Sequence, residues 1–311
     1  MTAKQTNMAA SVRQKLLNKA KAKQSDFNLM LTRYGLERFL YRLGKSDYSN
    51  RFVLKGAMLF PLWGIEGFRT TRDIDLAGFG ESDLEELKGV FRTICQTQVV
   101  DDGIIFDNQS IQAEDIRDQM EYGGTRLTFN AELAGARIII QVDVGFGDTI
   151  TPEASNAIYP TILELPAPHL RVYPAETVVA EKLEAMVRLG IANSRMKDFY
   201  DIWTIARMFG FDGIILQTAI QRTFERRNTA IPPDRPLALT EEFATDRQKQ
   251  QQWKAFLNRT GLKVGEELAG VTAFIAAFVL PPLKALNHGA PFNETWPAGG
   301  TWQRSIMVAT G

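Results

Sequence analysis

The stretch "RTTRDIDL", residues 69–76, places two aspartates, Asp73 and Asp75, one residue apart in a run that otherwise reads as a β-strand. Aspartate is a poor strand former, and side chains at positions i and i+2 of a strand point to the same face, with Cα atoms about 6–7 Å apart. Two converging carboxylates are costly unless a cation lies between them. Mg²⁺ suits such a pair, because it is usually held by one or two carboxylates plus substrate phosphates. The alternative is an exposed strand end with two solvated aspartates.

The segments on either side of this pair favour a nucleotide site. Upstream, "LKGAML" puts Gly56 and Ala57 at a strand-to-helix junction, where small residues let backbone N–H groups approach a phosphate. Downstream, "IIIQVDVGFGD" carries Asp143 in an otherwise apolar strand, and a lone carboxylate there needs a partner or a metal ion. A glycine with a small residue, then two aspartates on the next strand, then a third aspartate on a later strand is an order that resembles that of the nucleotidyltransferase superfamily with the polymerase-β-like fold. Its chemistry is in-line attack on the α-phosphate of a nucleotide, assisted by metal ions.

Composition excludes several other classes of protein. The 311 residues include 36 basic and 36 acidic side chains, so the chain is not a nucleic-acid-binding protein that is basic over its whole surface. A single cysteine, Cys95, excludes a disulfide framework and a cysteine zinc site. The N-terminus has no signal-peptide pattern, and the apolar stretch 268–283 is short and interrupted by prolines. We therefore expect a cytoplasmic protein with no membrane partner.

The pattern of elements changes along the chain. Residues 50–170 alternate between strands and short helices, and three of the strands are spaced like a meander. The sequence beyond is mostly helical, with helices expected at about 174–189, 196–209, 212–227, 240–260 and 264–286. The last segment, from residue 287, has turn chemistry and is expected to wrap the surface or fray. We predict an α+β fold: a mixed sheet flanked by helices over residues 1–170 and a helical domain over 171–311.

Three separated motifs give a narrower resemblance. "RFVLKGAMLF", "RTTRDIDL" and "EKLEAMVRLG…RMKDFYDIW" occur in the order found in the AbiEii family of abortive-infection nucleotidyltransferase toxins, and "YGLERFLYRL" precedes them as in that family. The resemblance covers about residues 25–215 and implies a bilobed protein, with a nucleotidyltransferase lobe and a helical lobe. It also implies a toxin of a type IV toxin–antitoxin system that acts in phage defence, is neutralised by a cognate antitoxin, and uses an NTP and Mg²⁺. Some relatives add nucleotides to the acceptor end of tRNA.

The resemblance assigns roles to particular residues of the nucleotidyltransferase lobe. The family's metal-binding pair falls on Asp73 and Asp75, and its serine or threonine two residues earlier falls on Thr71. Where relatives often carry two glycines, this chain has Gly56 and Ala57, so a phosphate contact from Ala57 would come from the backbone only. Asp143 is assigned as a metal ligand from the superfamily pattern alone.

The same resemblance places the catalytic lysine at Lys182 and the aspartate of the "KD" motif at Asp198. Physical reasoning supports their pairing independently, because the two residues lie on consecutive predicted helices on either side of a turn at 190–194. In an antiparallel helix hairpin they would face each other at the lip of the groove expected to hold the carboxylates, with Asp201 on the same helical face. The lysine would bind nucleotide phosphates. The alternative is an ordinary interhelix salt bridge worth about 0–1 kcal/mol if exposed.

The sequence supports the reaction class better than it supports the acceptor. The leading hypothesis is transfer of NMP from an NTP to an RNA acceptor, with a tRNA 3′ end as the expected acceptor. Two basic segments favour RNA but also fit solvated surfaces: the helix at 8–23 and "QRTFERR" at 221–227, with Arg222, Arg226 and Arg227. A protein hydroxyl or a small molecule is the alternative acceptor. A protein that binds NTP without catalysis and acts through its partner is a third hypothesis.

Overall fold

A computed structural model describes residues 7–65, 71–116, 124–262 and 264–304. The chain divides into two compact units, the first formed by Met1–Gly147 and Ser155–Val172, the second by Asp148–Ala154 and Tyr173–Gly311. A seven-stranded mixed sheet lies in the first unit, and helices dominate the second. The predicted α+β fold class is confirmed.

The first unit is a sheet with helices packed against it. Its strands follow the spatial order β3-β4-β5-β2-β1-β7-β6, with β2 parallel to β5 and antiparallel to β1. The predicted meander is confirmed as the antiparallel run β3-β4-β5. The elements are α1 (Met8–Ala22), α2 (Phe27–Lys45), β1 (Phe52–Lys55), a 3₁₀ turn (Gly56–Met58), α3 (Leu59–Leu62), β2 (Ile74–Gly78), α4 (Leu84–Cys95), β3 (Ile104–Ile116), β4 (Gly124–Leu133), β5 (Ala136–Phe146), β6 (Ser155–Ile158) and β7 (His169–Val172).

Strand β2 is shorter than the sequence suggested. It begins at Ile74, and the expected strand residues Arg69 and Thr70 lie outside the described residues. The Thr71 hydroxyl donates a hydrogen bond to the carboxylate of Asp73. This local bond competes with extended pairing, so Asp73 lies immediately before the strand. Asp75 lies within it, between β1 and β5.

Helix α2 forms the centre of the first unit's core. Its Phe39 ring stacks on Phe91 of α4 with centroids 5.5 Å apart. The helix also carries buried polar anchors, since Arg42 binds the Asp102 carboxylate with both terminal nitrogens at 2.7 and 3.0 Å. The Tyr34 hydroxyl donates to the carbonyl of the same Asp102 at 2.5 Å. Helix α2 thereby fixes the segment that leads into β3.

The second unit is built from helices and a small three-stranded sheet of order β10-β9-β8. Its polypeptide crosses from the first unit at 148–154 and again after β7. The elements are α5 (Ala175–Leu189), α6 (Met196–Met208), β8 (Phe211–Asp212), α7 (Gly213–Arg226), α8 (Glu241–Thr245), α9 (Arg247–Thr260), α10 (Leu268–Asn287), β9 (Glu294–Trp296) and β10 (Gln303–Arg304).

Helices α8 to α10 depart from the predicted pattern in two places. The single helix expected at 240–260 is two helices, because the Asp246 side chain accepts a hydrogen bond from the Lys249 N–H and caps α9. The helix expected at 264–286 is confirmed as α10, and it continues through Pro281 and Pro282, which were expected to interrupt its apolar stretch. Among the described helices it alone is long and apolar enough to cross a membrane, and half of its apolar stretch is buried inside the protein, as in a core helix.

The C-terminal segment does not simply wrap the surface or fray. Strand β9 pairs with β8, and the Trp296 side chain is 2% exposed. The Trp296 indole donates a hydrogen bond to the Ala206 carbonyl at 2.7 Å. Burial of this aromatic ring makes the segment part of the second unit's core.

We predict that Arg42→Met lowers the free energy of unfolding of the first unit by about 3 kcal/mol, because it leaves the buried Asp102 carboxylate without its ion pair. Urea denaturation followed by circular dichroism measures the change. The control is Lys88→Met, which removes an ion pair to Glu85 whose carboxylate is 75% exposed. That change should cost less than about 0.5 kcal/mol. Equal effects of the two substitutions would contradict the prediction.

Candidate active site

Five charged residues form one row across the sheet of the first unit. Cross-strand partners lie directly opposite each other and share a face of the sheet. The signs alternate except where two carboxylates, Asp143 and Asp75, lie opposite each other on neighbouring strands. This charged row runs, in strand order, Glu114, Arg126, Asp143, Asp75, Lys55.

Asp73 lies beside the charged row. It is separated from Asp75 by Ile74, which is fully buried, while both aspartates are half-buried. Hydrogen bonding to Asp143 raises the pKa of Arg126 against the opposing effect of burial, and the charges of Asp143, Glu114 and Asp73 add to the rise. Asp73 therefore lies within electrostatic reach of Arg126. Three aspartates share one region of the sheet face.

Gly56 makes room for the central carboxylate. Its φ of +70° is a left-handed conformation that favours glycine, and a Cβ added to it would lie 2.7 Å from Asp75 Cγ and closer still to Oδ2. The next residue, Ala57, is 2% exposed, so its methyl group lies in the core. The predicted junction of a strand and a helical turn is present. Because Gly56 has no side chain, the Asp75 carboxylate packs directly against the backbone at this junction.

Asp143 has the partner that its apolar strand required. Its two carboxylate oxygens accept hydrogen bonds from Nε and Nη2 of Arg126, both at 2.8 Å. In the described ranges, no three His, Cys, Asp or Glu side chains are gathered as a metal-binding group. Mg²⁺ does not require such a group, because one or two carboxylates with substrate phosphates and water suffice. The pair Asp73 and Asp75, with the Asp75 carboxylate packed against the Gly56 backbone, fits that donor chemistry.

A second charged cluster lies in the second unit. Lys182 Nζ on α5 contacts Asp198 Oδ1 at 2.7 Å and Asp201 Oδ2 at 2.8 Å, both on α6. The predicted meeting of Lys182 and Asp198 is confirmed as a contact. Both carboxylates are fully buried, whereas the lysine side chain is 14% exposed. The two buried carboxylates therefore hold the partly exposed Lys182 ammonium group in position.

Arg195 completes this cluster. Its Nε donates to Asp198 Oδ2 at 2.6 Å. Burial alone would raise the pKa of Asp198, but the charges of Lys182 and Arg195 outweigh it and hold that pKa well below its ordinary value. Asp198 is thus ionised at neutral pH and fixes the position of Lys182.

The three arginines of "QRTFERR" do not form one exposed basic patch. Arg227 is 19% exposed and contacts Glu184 Oε2 at 2.9 Å and Glu181 Oε2 at 3.4 Å. Burial lowers the pKa of Arg227, but the charge of Glu181 and the hydrogen bond to Glu184 raise it overall. The exposed members are Arg222 and Arg226. An RNA contact from the whole cluster is therefore not supported.

Sequence reasoning missed three cations of these clusters, Lys55, Arg126 and Arg195. The signal for Arg126 was present in the meander, since "TRLTF" and "QVDVG" lie on consecutive strands and can place Arg126 opposite Asp143. The signal for Arg195 was its spacing, three residues before Asp198 at the start of the predicted helix.

A family model described as nucleotidyl transferase AbiEii toxin, type IV TA system, matches residues 38–274. The match spans most of the chain and includes every residue of the charged row and of the Lys182 cluster. The chain belongs to the AbiEii nucleotidyltransferase toxin family. As a member of this family it is an NTP-dependent nucleotidyltransferase toxin with a cognate antitoxin.

Other comparisons add little to this assignment. No curated protein matches this AbiEii toxin. Two solved structures from Helicobacter pylori are similar to it. JHP933 has a TM-score of 0.46 and 14% identity over 81% of this chain and 92% of that chain. A proposed nucleotidyltransferase has a TM-score of 0.44 and 13% identity over 82% of this chain and 95% of that chain.

We predict that Gly56→Ala lowers nucleotidyl transfer by about 100-fold, because the added methyl group must displace the Asp75 carboxylate and misplacement of about 1 Å costs that much. Initial rates with saturating NTP measure the change. The matched control is Gly64→Ala, since Gly64 has a φ of +69° but no atom within 4 Å of an added Cβ. Both substitutions therefore place alanine at nearly the same left-handed φ, and only Gly56→Ala adds a steric clash. An equal loss in the two would contradict the steric explanation.

We predict that Asp198→Asn lowers the free energy of unfolding by about 3 kcal/mol at pH 7, because Lys182 and Arg195 lose a buried partner. The pKa of Asp198 is lowered by folding, so its stabilisation is complete above the ordinary pKa of 3.8 and is lost as the pH falls further. The difference between the wild type and the variant should therefore narrow below about pH 4.

Chemical denaturation at pH 7 and pH 3 measures this difference. Asp234→Asn, which alters an exposed carboxylate, is the control and should change stability at neither pH. A difference between the wild type and Asp198→Asn that stays constant across the two pH values would contradict the electrostatic explanation.

Proposed function

We propose that this AbiEii toxin is an Mg²⁺-dependent enzyme that transfers NMP from an NTP to the 3′ hydroxyl of an RNA, with tRNA as the acceptor. The observation that carries the proposal is the meeting of Asp75 and Asp143 on adjacent strands, with Asp73 beside them and the Gly56 backbone beneath Asp75. Such a concentration of carboxylates on one rigid face serves the binding of a divalent cation and its phosphate ligands.

Asp73 and Asp75 would hold the Mg²⁺ ion. When bound, the ion supplies positive charge to the reacting phosphate and makes the attacking hydroxyl more acidic. The Thr71 hydroxyl donates to Asp73 and fixes the orientation of that carboxylate. Glycine at position 56 lets Asp75 lie against the backbone, so both ligands are positioned before substrate arrives.

In the proposed reaction the acceptor hydroxyl oxygen attacks the α-phosphorus of the NTP. A new P–O bond forms, the bond to the bridging oxygen of the β-phosphate breaks, and pyrophosphate leaves with that electron pair. The hydroxyl proton passes to solvent or to an adjacent carboxylate. Lys182 is proposed to contact the nucleotide phosphates and to stabilise the charge that develops on them, with Asp198 and Asp201 holding its ammonium group in place.

Helix α1 supports an RNA acceptor. It contains no acidic residue, and three of its basic side chains, Arg13, Lys15 and Lys21, are exposed, as is Lys23 at its C-cap. A fifth, Lys19, donates to the Ile162 carbonyl instead of facing solvent freely. Exposed cations without acidic neighbours attract a polyanion. An RNA and an NTP as substrates also imply action in the cytoplasm.

We predict that the purified protein transfers label from an α-labelled NTP to bulk tRNA in the presence of Mg²⁺, and that Asp73→Ala and Lys182→Ala abolish the transfer. Each of the four NTPs is tested in turn, and EDTA should stop the reaction. The matched control is Asp47→Ala, which removes an exposed carboxylate outside the charged row and should keep full activity.

The same assay separates the alternatives. Label on protein or on a small molecule instead of RNA would favour the other acceptor classes. Transfer by both the wild type and Asp73→Ala, or by neither with any acceptor, would overturn the catalytic proposal and leave a protein that binds NTP and acts through its partner.

A further inference from the structure

We infer that Arg126 binds the phosphates of the nucleotide and that Asp143 serves to orient Arg126 instead of holding the metal ion. The inference rests on the proposed nucleotidyl transfer and deepens it by adding a substrate-binding residue and reassigning a carboxylate. It replaces the metal-ligand role that the superfamily pattern suggested for Asp143.

The geometry of the ion pair leaves one edge of the guanidinium available. Arg126 uses Nε and Nη2 for Asp143, both at 2.8 Å, so the contact is made along the side of the guanidinium. In the part of the chain that the structure describes, Nη1 of Arg126 makes no hydrogen bond. The Nη1–Nη2 edge is a planar fork that matches two oxygens of a phosphate group.

The side chains of Arg126 and Asp143 differ in how far they are exposed to solvent. The Arg126 side chain is 36% exposed, whereas that of Asp143 is 11% exposed. An exposed guanidinium is accessible to a ligand that arrives from solvent, whereas a buried carboxylate is much less so. Here the acid lies at the base of the pair and the guanidinium is the part that an incoming ligand meets.

The occupancy of Asp143 argues against a direct metal contact. Both of its oxygens already accept a charge-assisted hydrogen bond, and Gln141 Nε2 lies 3.5 Å from Oδ1. Metal binding by Asp143 would weaken the Arg126 pair, whereas Asp73 and Asp75 supply the one or two carboxylates that Mg²⁺ requires.

The charge on this face creates a need for such a cation. In the described part of this face, the four carboxylates Glu114, Asp143, Asp75 and Asp73 outnumber the two cations of the charged row, Arg126 and Lys55. The surplus attracts a divalent ion but repels a triphosphate. Lys55 is 8% exposed, which leaves Arg126 as the solvent-facing cation of the charged row.

The test measures two affinities on the full chain. Isothermal titration calorimetry with an NTP analogue whose α–β bridge cannot be cleaved gives nucleotide binding, and electron paramagnetic resonance with Mn²⁺ alone gives metal binding. Arg126→Gln should weaken nucleotide binding at least tenfold and leave Mn²⁺ affinity within twofold. Arg126→Lys, which keeps the charge but loses the fork, should lie between that variant and the wild type.

Asp143→Asn should weaken nucleotide binding several-fold and also leave Mn²⁺ affinity within twofold. If Asp143 acts through Arg126, the double variant binds nucleotide no more weakly than Arg126→Gln alone, a result that a merely structural role would not give. The matched control is Arg137→Gln, which alters another arginine of the β4–β5 ladder, paired with Asn130, and should bind both ligands normally.

The outcomes separate this inference from the proposed function. Unchanged nucleotide binding by Arg126→Gln, or loss of Mn²⁺ binding in Asp143→Asn, would overturn the inference and leave nucleotidyl transfer in place. Failure of the wild-type protein to bind any NTP would overturn both. If Arg126→Gln does not fold, the comparison of Arg126→Lys with Arg137→Gln decides.

Discussion

The pairing of β2 with β5 places Asp75 and Asp143 opposite each other in the middle of a sheet, and the rest of the candidate site depends on this constraint. Adjacent carboxylates repel, so their strands can stay in register only with compensation. Lys55 and Arg126 supply it from either side in the charged row. Gly56 supplies the space. Folding of the sheet thus offsets the repulsion between the carboxylates, which are already in place when a cation binds.

The second unit uses the opposite arrangement, a single ammonium group backed by buried acids. Lys182 contacts two fully buried carboxylates, so its long side chain is held in one place before any ligand binds. Asp148 lies on the segment 148–154 of the second unit, between β5 and β6 in the chain. Its carboxylate accepts a hydrogen bond from the Tyr173 hydroxyl at 3.0 Å. Burial and two neighbouring acids raise the pKa of Tyr173, which keeps that phenol protonated as a donor. Helix α5 is tied to the same segment by Thr177, whose hydroxyl donates to the Thr151 carbonyl at 2.9 Å.

Family membership and physical reasoning agree on the chemistry but weigh individual residues differently. The motifs single out Asp73, Asp75, Lys182 and Asp198, and these residues keep their assigned roles in the proposed mechanism. The contacts add Arg126, which no motif marks. A residue that is oriented by a cross-strand partner leaves little trace in a linear pattern, because its partner lies 17 positions away in the chain.

The sequence by itself determined the fold class, most of the helices, the strands of the meander and the Lys182–Asp198 contact, because periodicity, turn residues and charge spacing act locally. It also determined the family, since three motifs retain their order. Tertiary structure alone decided that β2 begins at Ile74, that α10 continues through its prolines and that Trp296 is buried. It alone paired Asp143 with Arg126. Strand register, side-chain burial and local competition for hydrogen bonds depend on neighbours distant in the chain, which a single sequence does not display.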